Sequence, residues 1–200
     1  MFTRVRPLIG AALAAVLAIG LAACTGTDPG AEAYKDGETV YSSNDLRTVE
    51  IPPADRGAPV DFGGTTESGA EFSGADARGG VTVVNFWYAT CGPCRVEAKD
   101  LEAVWQKYQD QDVTFIGVNI YDSADTAKAF NETFGITYPS ILDADGGEAK
   151  LAFAKDAPLQ APPVTLVLDR EGRVAARIIG PIGGTSILST MIGDVLEESA

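Results

Sequence analysis

The chain has no histidine and only three cysteines among its 200 residues. A tetrahedral zinc centre needs about four ligands, mostly Cys or His, and this chain cannot gather them once its cysteines are committed as argued below. No imidazole is available as an acid–base catalyst, so any proton relay runs through a carboxylate, a thiol or water. Positive charge is scarce as well. Lys and Arg number 15 against 28 Asp and Glu, a net charge of −13. Such a surface repels phosphate, which excludes nucleic acid as a partner, and a solvated acidic exterior accounts for most of the charge. The apolar run from Leu8 to Ala23 is shorter than a comfortable membrane span. No internal repeat is present.

What the chain does contain is concentrated at Trp87-Tyr88-Ala89-Thr90-Cys91-Gly92-Pro93-Cys94, a C-x-x-C pair. The preceding run, Val81 to Trp87, has the length and β-branched content of a strand buried on both faces. From about Gly92 to Gln109 an amphipathic helix is expected, with Val96, Leu101, Val104, Trp105 and Tyr108 on its apolar stripe. Cys91 then lies at a strand-to-helix corner, where unpaired backbone N–H groups and the helix dipole favour thiolate over thiol. Pro93 is tolerated there because its missing N–H would have no intrahelical partner. Cys91, at the exposed end, is expected to attack, and Cys94, one turn in, to resolve the mixed disulfide. The alternatives are a structural bridge, which across so short a loop constrains the unfolded chain little, and half of a zinc site.

The segment Phe86 to Arg95, followed by Glu97, resembles the thioredoxin-like proteins of the TlpA and ResA type, the membrane-tethered extracytoplasmic branch of the thioredoxin superfamily. A second signature matches as well. Pro162-Pro163-Val164-Thr165-Leu166-Val167-Leu168-Asp169-Arg170-Glu171-Gly172-Arg173-Val174 is similar to the family's cis-proline, strand, D-x-x-G turn and strand. The resemblance covers roughly residues 57 to 198. It implies an α/β fold of thioredoxin type, with a central mixed β-sheet flanked by helices.

The third cysteine bears on location. Arg4 and Arg6, the apolar stretch to Ala23 and then Leu21-Ala22-Ala23-Cys24 describe a secretory signal ending in what resembles a bacterial lipobox. We expect residues 1–23 to be a lipoprotein signal peptide and Cys24 to be lipidated, acyl chains holding it at about 0.8 kcal/mol per buried CH₂. The alternative is an uncleaved N-terminal anchor. Loss of Arg4 and Arg6 would leave 13 basic against 28 acidic residues. Residues 24–56, rich in Gly, Asp, Glu, Ser and Pro, read as a flexible tether, with Thr39-Val40-Tyr41 and Thr48-Val49-Glu50-Ile51 as short β-like pieces able to dock. The thioredoxin-like domain is expected over 57–198.

Within it, Asp61-Phe62 and Phe72-Ser73 suggest a hairpin around a Gly-rich turn. Val113 to Ile120 reads as a second buried strand, and 123–134 as a helix with Ser123 as N-cap. A short helix is expected over 148–155, strands over 164–169 and 174–179, and a last helix over 185–197. No second domain is indicated.

Three further residues carry expectations. Glu97 is one helical turn beyond Cys94, and in the resembled family an acid here tunes the resolving cysteine. The alternative is an exposed first-turn acid, and on either reading only a modest contribution to stability is expected. Asn85 stands where cytosolic thioredoxins carry a buried aspartate six residues before the first cysteine. The resemblance makes Pro163 a cis-proline opposite the C-x-x-C pair. Pro162 departs from the family pattern because it has no N–H to donate to a bound peptide, so substrate grip should rest on its carbonyl and on Trp87 and Tyr88.

Together these imply a thiol-disulfide oxidoreductase without cofactor or metal. The Gly-Pro dipeptide matches reducing thioredoxins, with potentials near about −270 mV. The resemblance implies reduction of disulfides outside the membrane, often at the haem-attachment cysteines of apocytochrome c, with the reduced state restored by a membrane-embedded thiol-disulfide transporter. The alternatives are an oxidase or isomerase of secreted proteins, a peroxiredoxin, whose Thr three residues before the reactive cysteine is Tyr88 here, and a non-enzymatic binding lipoprotein.

Overall fold

Val81–Trp87 forms β4, seven residues buried throughout, and the rest of the sheet is laid out from it. The computed structural model describes residues 47–198. Signal peptide, Cys24, most of the tether and the Thr39-Val40-Tyr41 piece lie outside the described residues. The strands are β1 (Thr48–Glu50), β2 (Gly63–Thr65), β3 (Glu71–Ser73), β4, β5 (Val113–Asn119), β6 (Ser140–Leu142), β7 (Val164–Leu168) and β8 (Val174–Ile179). The helices are α1 (Gly92–Tyr108), α2 (Ala124–Phe134), α3 (Glu148–Ala152) and α4 (Thr185–Glu197).

Six strands form one sheet in the order β1-β8-β7-β4-β5-β6. β4 runs parallel to β5, and β5 to β6, while β7 pairs antiparallel with both β4 and β8. The sheet is mixed, as expected. β2 and β3 form a separate hairpin. Its first strand begins just after Phe62, whose ring is buried against Phe153 and also meets Phe72 of β3.

Alternation along β4 sorts the core into two layers. Val81 and Val83 join Leu101, Val104 and Tyr108 of α1 and Leu188, Met191 and Ile192 of α4. Val84 and Phe86 point the other way, towards Phe62, Phe153 and Leu159. The same period-two rule puts Asn85 and Trp87 on the face that α1 covers. That placement builds the site.

Three expectations change. Val96 is 74% exposed. The buried stripe of α1 is Cys94, Glu97, Ala98, Leu101, Val104 and Tyr108, so a carboxylate occupies a place on the inward face that an apolar reading of the helix assigns elsewhere. β6 is a strand where none is expected, whereas β1 forms within the β-like piece expected at Thr48 to Ile51. β1 pairs with β8 through Val49 and Arg177, so the sheet takes in residues ahead of the boundary expected at 57. The three residues of β6 carry too little period to be read without their partner.

Arg56 fastens this entry segment. Its side chain, 3% exposed, pairs with Asp169 at 3.0 Å and Glu198 at 2.6 Å and donates to the Ile51 carbonyl. Asp169 opens the D-x-x-G turn, accepting from the backbone of Glu171 and Arg173. Gly172 takes φ +83° there, a region costly for residues with a Cβ.

Candidate active site

Cys91 is the N-cap of α1, with Pro93 in the first turn. Its Sγ accepts the backbone N–H of Cys94 at 3.1 Å, the orphan donor that a helix start leaves for a capping group. The two cysteines are joined as a disulfide. Both are 2% exposed, so Cys91 is not the open end expected from sequence. The N-cap turn folds its sulfur inward, and the Pro162 carbonyl oxygen stands 3.6 Å away across the groove. Access is left between Thr90, Gly92 and Pro93, all exposed, and the half-buried Pro162. The Pro162-Pro163 peptide is cis.

Trp87 differs from expectation. It is 4% exposed, its indole N–H donates to Ser140 Oγ at 3.1 Å, and its ring stacks on Phe130 at 4.3 Å between centroids. It therefore backs the disulfide, within a cluster of Cys91, Cys94, Ala98 and Phe130, and presents no surface to a substrate. Gly117 makes this fit possible, since a Cβ there would collide with Ser140 and the indole nitrogen. Tyr88, half-buried, remains at the surface.

Glu97 is 1% exposed, which removes the solvated-acid alternative. Its Oε1 accepts from Asn85 Nδ2 at 3.0 Å and its Oε2 from the Ile182 backbone N–H at 2.9 Å. Asn85 also donates to Thr165 Oγ1 at 3.1 Å. Burial pushes the Glu97 carboxyl up to about 7 against the pull of those two donors, and Asp100 adds to the rise. Tyr138 is pushed above the ordinary phenol range, first by burial and then by the charges of Glu97 and Glu102. A water-sized cavity of about 10 Å³ lies beneath Cys94, between Asn85, Trp87, Asn131 and Tyr138.

Four residues escape the sequence reading. Thr165 faces Asn85 through the β4–β7 register. Ser140 orients Trp87. Ile182 arrives from the loop before α4. Asp122 accepts the Ala89 N–H at 2.6 Å and so pins the turn that leads into Cys91. Asp122 had a local signal in Asn119-x-x-Asp122, a pattern of self-bonding turn residues, and Asn119 Oδ1 does accept from the N–H groups of Tyr121 and Asp122.

The arrangement is suited to two-electron exchange between thiols and disulfides. It pairs a capped sulfur at a helix start with a second, deeper sulfur and a buried carboxyl whose proton is held near neutrality. Comparison with known proteins agrees. Residues 56–177 match the model of the AhpC/TSA family. Thioredoxin-like protein YneN of Bacillus subtilis is 31% identical over 139 residues, 68% of this chain and 76% of its own. Thiol-disulfide oxidoreductase ResA of Geobacillus kaustophilus is 29% identical over 144 residues, 72% and 79% of the two chains. A secreted thiol-disulfide isomerase from Corynebacterium glutamicum superposes with a TM-score of 0.70 at 27% identity, covering 79% of this chain and 96% of that one. The chain belongs to the AhpC/TSA family and, within it, to the thioredoxin-like extracytoplasmic thiol-disulfide oxidoreductases of the TlpA and ResA type.

Proposed function

We propose that this oxidoreductase works as a reductase of extracytoplasmic proteins, with the haem-attachment cysteines of apocytochrome c as the substrate class that the family resemblance favours. The observation that carries the exchange chemistry is the Cys91 Sγ to Cys94 N–H contact at the start of α1, which favours a thiolate at the outer cysteine. The reducing direction rests on the Gly92-Pro93 dipeptide, which matches reducing thioredoxins. In the reduced protein, Cys91 thiolate attacks one sulfur of a substrate disulfide. An S–S bond forms to Cys91, and the other substrate sulfur leaves as a thiolate. Cys94, deprotonated towards Glu97, then attacks Cys91 Sγ and releases the second substrate thiolate. Two electrons pass to the substrate and two protons follow them. Pro163 and the Pro162 carbonyl border the groove, and Tyr88 lines its outer side. Reduction of the resulting Cys91–Cys94 disulfide falls to a membrane thiol-disulfide transporter.

One feature favours the opposite direction. The N-cap hydrogen bond stabilises the reduced form, as in strongly oxidising members of the superfamily. Equilibration with glutathione redox buffers decides between the two. A couple below about −200 mV is expected, and a value near about −120 mV would make the protein an oxidase.

Lipid attachment at Cys24 supplies the membrane location in this reading. Among the described residues no helix is long and apolar enough to cross a membrane. Cys24→Ala should leave exchange chemistry intact and move the protein from the membrane to the soluble fraction, or stall its maturation. Continued membrane association of a correctly cleaved Cys24→Ala protein would refute the lipid anchor.

A further inference from the structure

Tyr121 is 59% exposed, and a lone tyrosine on a surface ordinarily needs no explanation. This one is held in place. Asn119 Oδ1 accepts the N–H groups of Tyr121 and Asp122, Asn119 Nδ2 donates to Asp122 Oδ2 at 2.8 Å, and that same oxygen accepts the Ala89 N–H. The loop after β5 is thereby fastened to the turn that carries the reactive cysteine. Its ring meets Tyr88 edge to face at 5.1 Å, and the Tyr88 carbonyl in turn accepts the Cys91 N–H at 3.1 Å. A large aromatic is thus presented on a preorganised loop tied to the turn that enters Cys91.

We propose that Tyr121 and Tyr88 together seat the polypeptide flanking the cysteine of an incoming protein disulfide. The proposal rests on the exchange chemistry above and adds a specificity determinant to it. With Cys91 2% exposed, a sulfur reaches it only on a slender, extended segment. Such a segment advances about 3.3–3.6 Å per residue, and in this proposal the residue two or three positions beyond its cysteine lies over the tyrosine pair. The face of a tyrosine ring attracts C–H groups and cations, and Lys150 Nζ already stands 6.0 Å from the Tyr121 centroid. The chain's net charge of −13 acts in the same sense. The occupant is therefore an extended, cysteine-bearing segment with an aliphatic or basic residue two or three positions from its cysteine.

Single-turnover oxidation of the reduced full chain in detergent tests this, with two oxidants compared. One is a short synthetic peptide closed by a C-x-x-C disulfide with lysine three residues on. The other is hydroxyethyl disulfide, which has no polypeptide to seat. Tyr121→Ala should raise the apparent Kd for the peptide about five- to tenfold with its limiting rate unchanged. The rate with hydroxyethyl disulfide should move less than about twofold on the same grounds, and Tyr121→Phe should behave as the wild type. Equal losses with both oxidants would mean that Tyr121 acts by shaping the active-site turn, and no loss with either would mean that it touches no substrate. Either result overturns the seat while leaving the exchange chemistry standing. A wild-type protein inert to both oxidants would instead overturn the exchange reading, and the seat with it.

Discussion

Cys94→Ser should accumulate mixed disulfides with protein substrates, visible as thiol-sensitive bands on non-reducing gels, while Cys91→Ser should be inactive and trap nothing. The asymmetry comes from position on α1. Cys91 caps the helix, its sulfur meeting the Cys94 N–H and facing the Pro162 carbonyl at the groove. Cys94 is one turn deeper, packed in the cluster with Trp87, Ala98 and Phe130. A substrate sulfur therefore meets Cys91 first, and only Cys94 can reach the mixed disulfide from behind. Loss of the attacking thiolate removes the covalent route altogether, a fall of at least about a thousandfold on the scale of activated nucleophiles. Trapping by Cys91→Ser would reverse the two roles.

Glu97→Gln should slow turnover by at least about tenfold, the low end of what a positioned acid–base contributes, and should also change how stability depends on pH. The carboxyl lies near 7 in the folded protein against an ordinary value of 4.5. The folded state thus holds this proton more tightly than the unfolded state does. Its contribution is fully present below about pH 4.5 and is lost as pH rises through 7. At about 1.4 kcal/mol per pH unit this amounts to roughly 3 kcal/mol. Glutamine cannot ionise. At pH 5 the variant and the wild type should be similar, because a protonated carboxyl and an amide each satisfy only one of the two donors, Asn85 and Ile182. By pH 8 the variant should have gained about 2–3 kcal/mol on the wild type. Urea unfolding of the oxidised proteins across this range measures the difference. A gap that does not change with pH would show that no buried charge forms at Glu97. The modest stability effect expected from sequence is replaced by this larger one because Glu97 is buried. Alkylation of the reduced proteins should further show the Cys94 thiol ionising more readily in the variant, since a neighbouring carboxylate no longer opposes it.

Much of this was legible from local pattern. The β-branched run at Val81 to Trp87, the Cys-Gly-Pro-Cys start of α1, Ser123 before α2 and the Asp169 to Gly172 turn each carry their signal within a few residues, and each forms where expected. These are features in which backbone preference, capping chemistry and burial agree along the chain. β6 was not legible, because three residues carry no period and exist as a strand only by pairing with β5, and for the β-like piece at Thr48 to Ile51 it was the place beside β8 that could not be read.

Sequence by itself determined the reacting pair, its helix-start setting, the absence of any imidazole and the strongly acidic charge. Tertiary structure alone decided which way each group faces. It turned Val96 out and Glu97 in, put Trp87 behind the disulfide, and joined Asn85, Thr165 and Ile182 around one carboxylate from segments up to 97 positions apart. The physical reason is that a capping turn is set by neighbouring dihedrals, whereas desolvation and the hydrogen bonds that offset it depend on strand register and on what packs over a face. Those are fixed only when the sheet closes against α1 and α4.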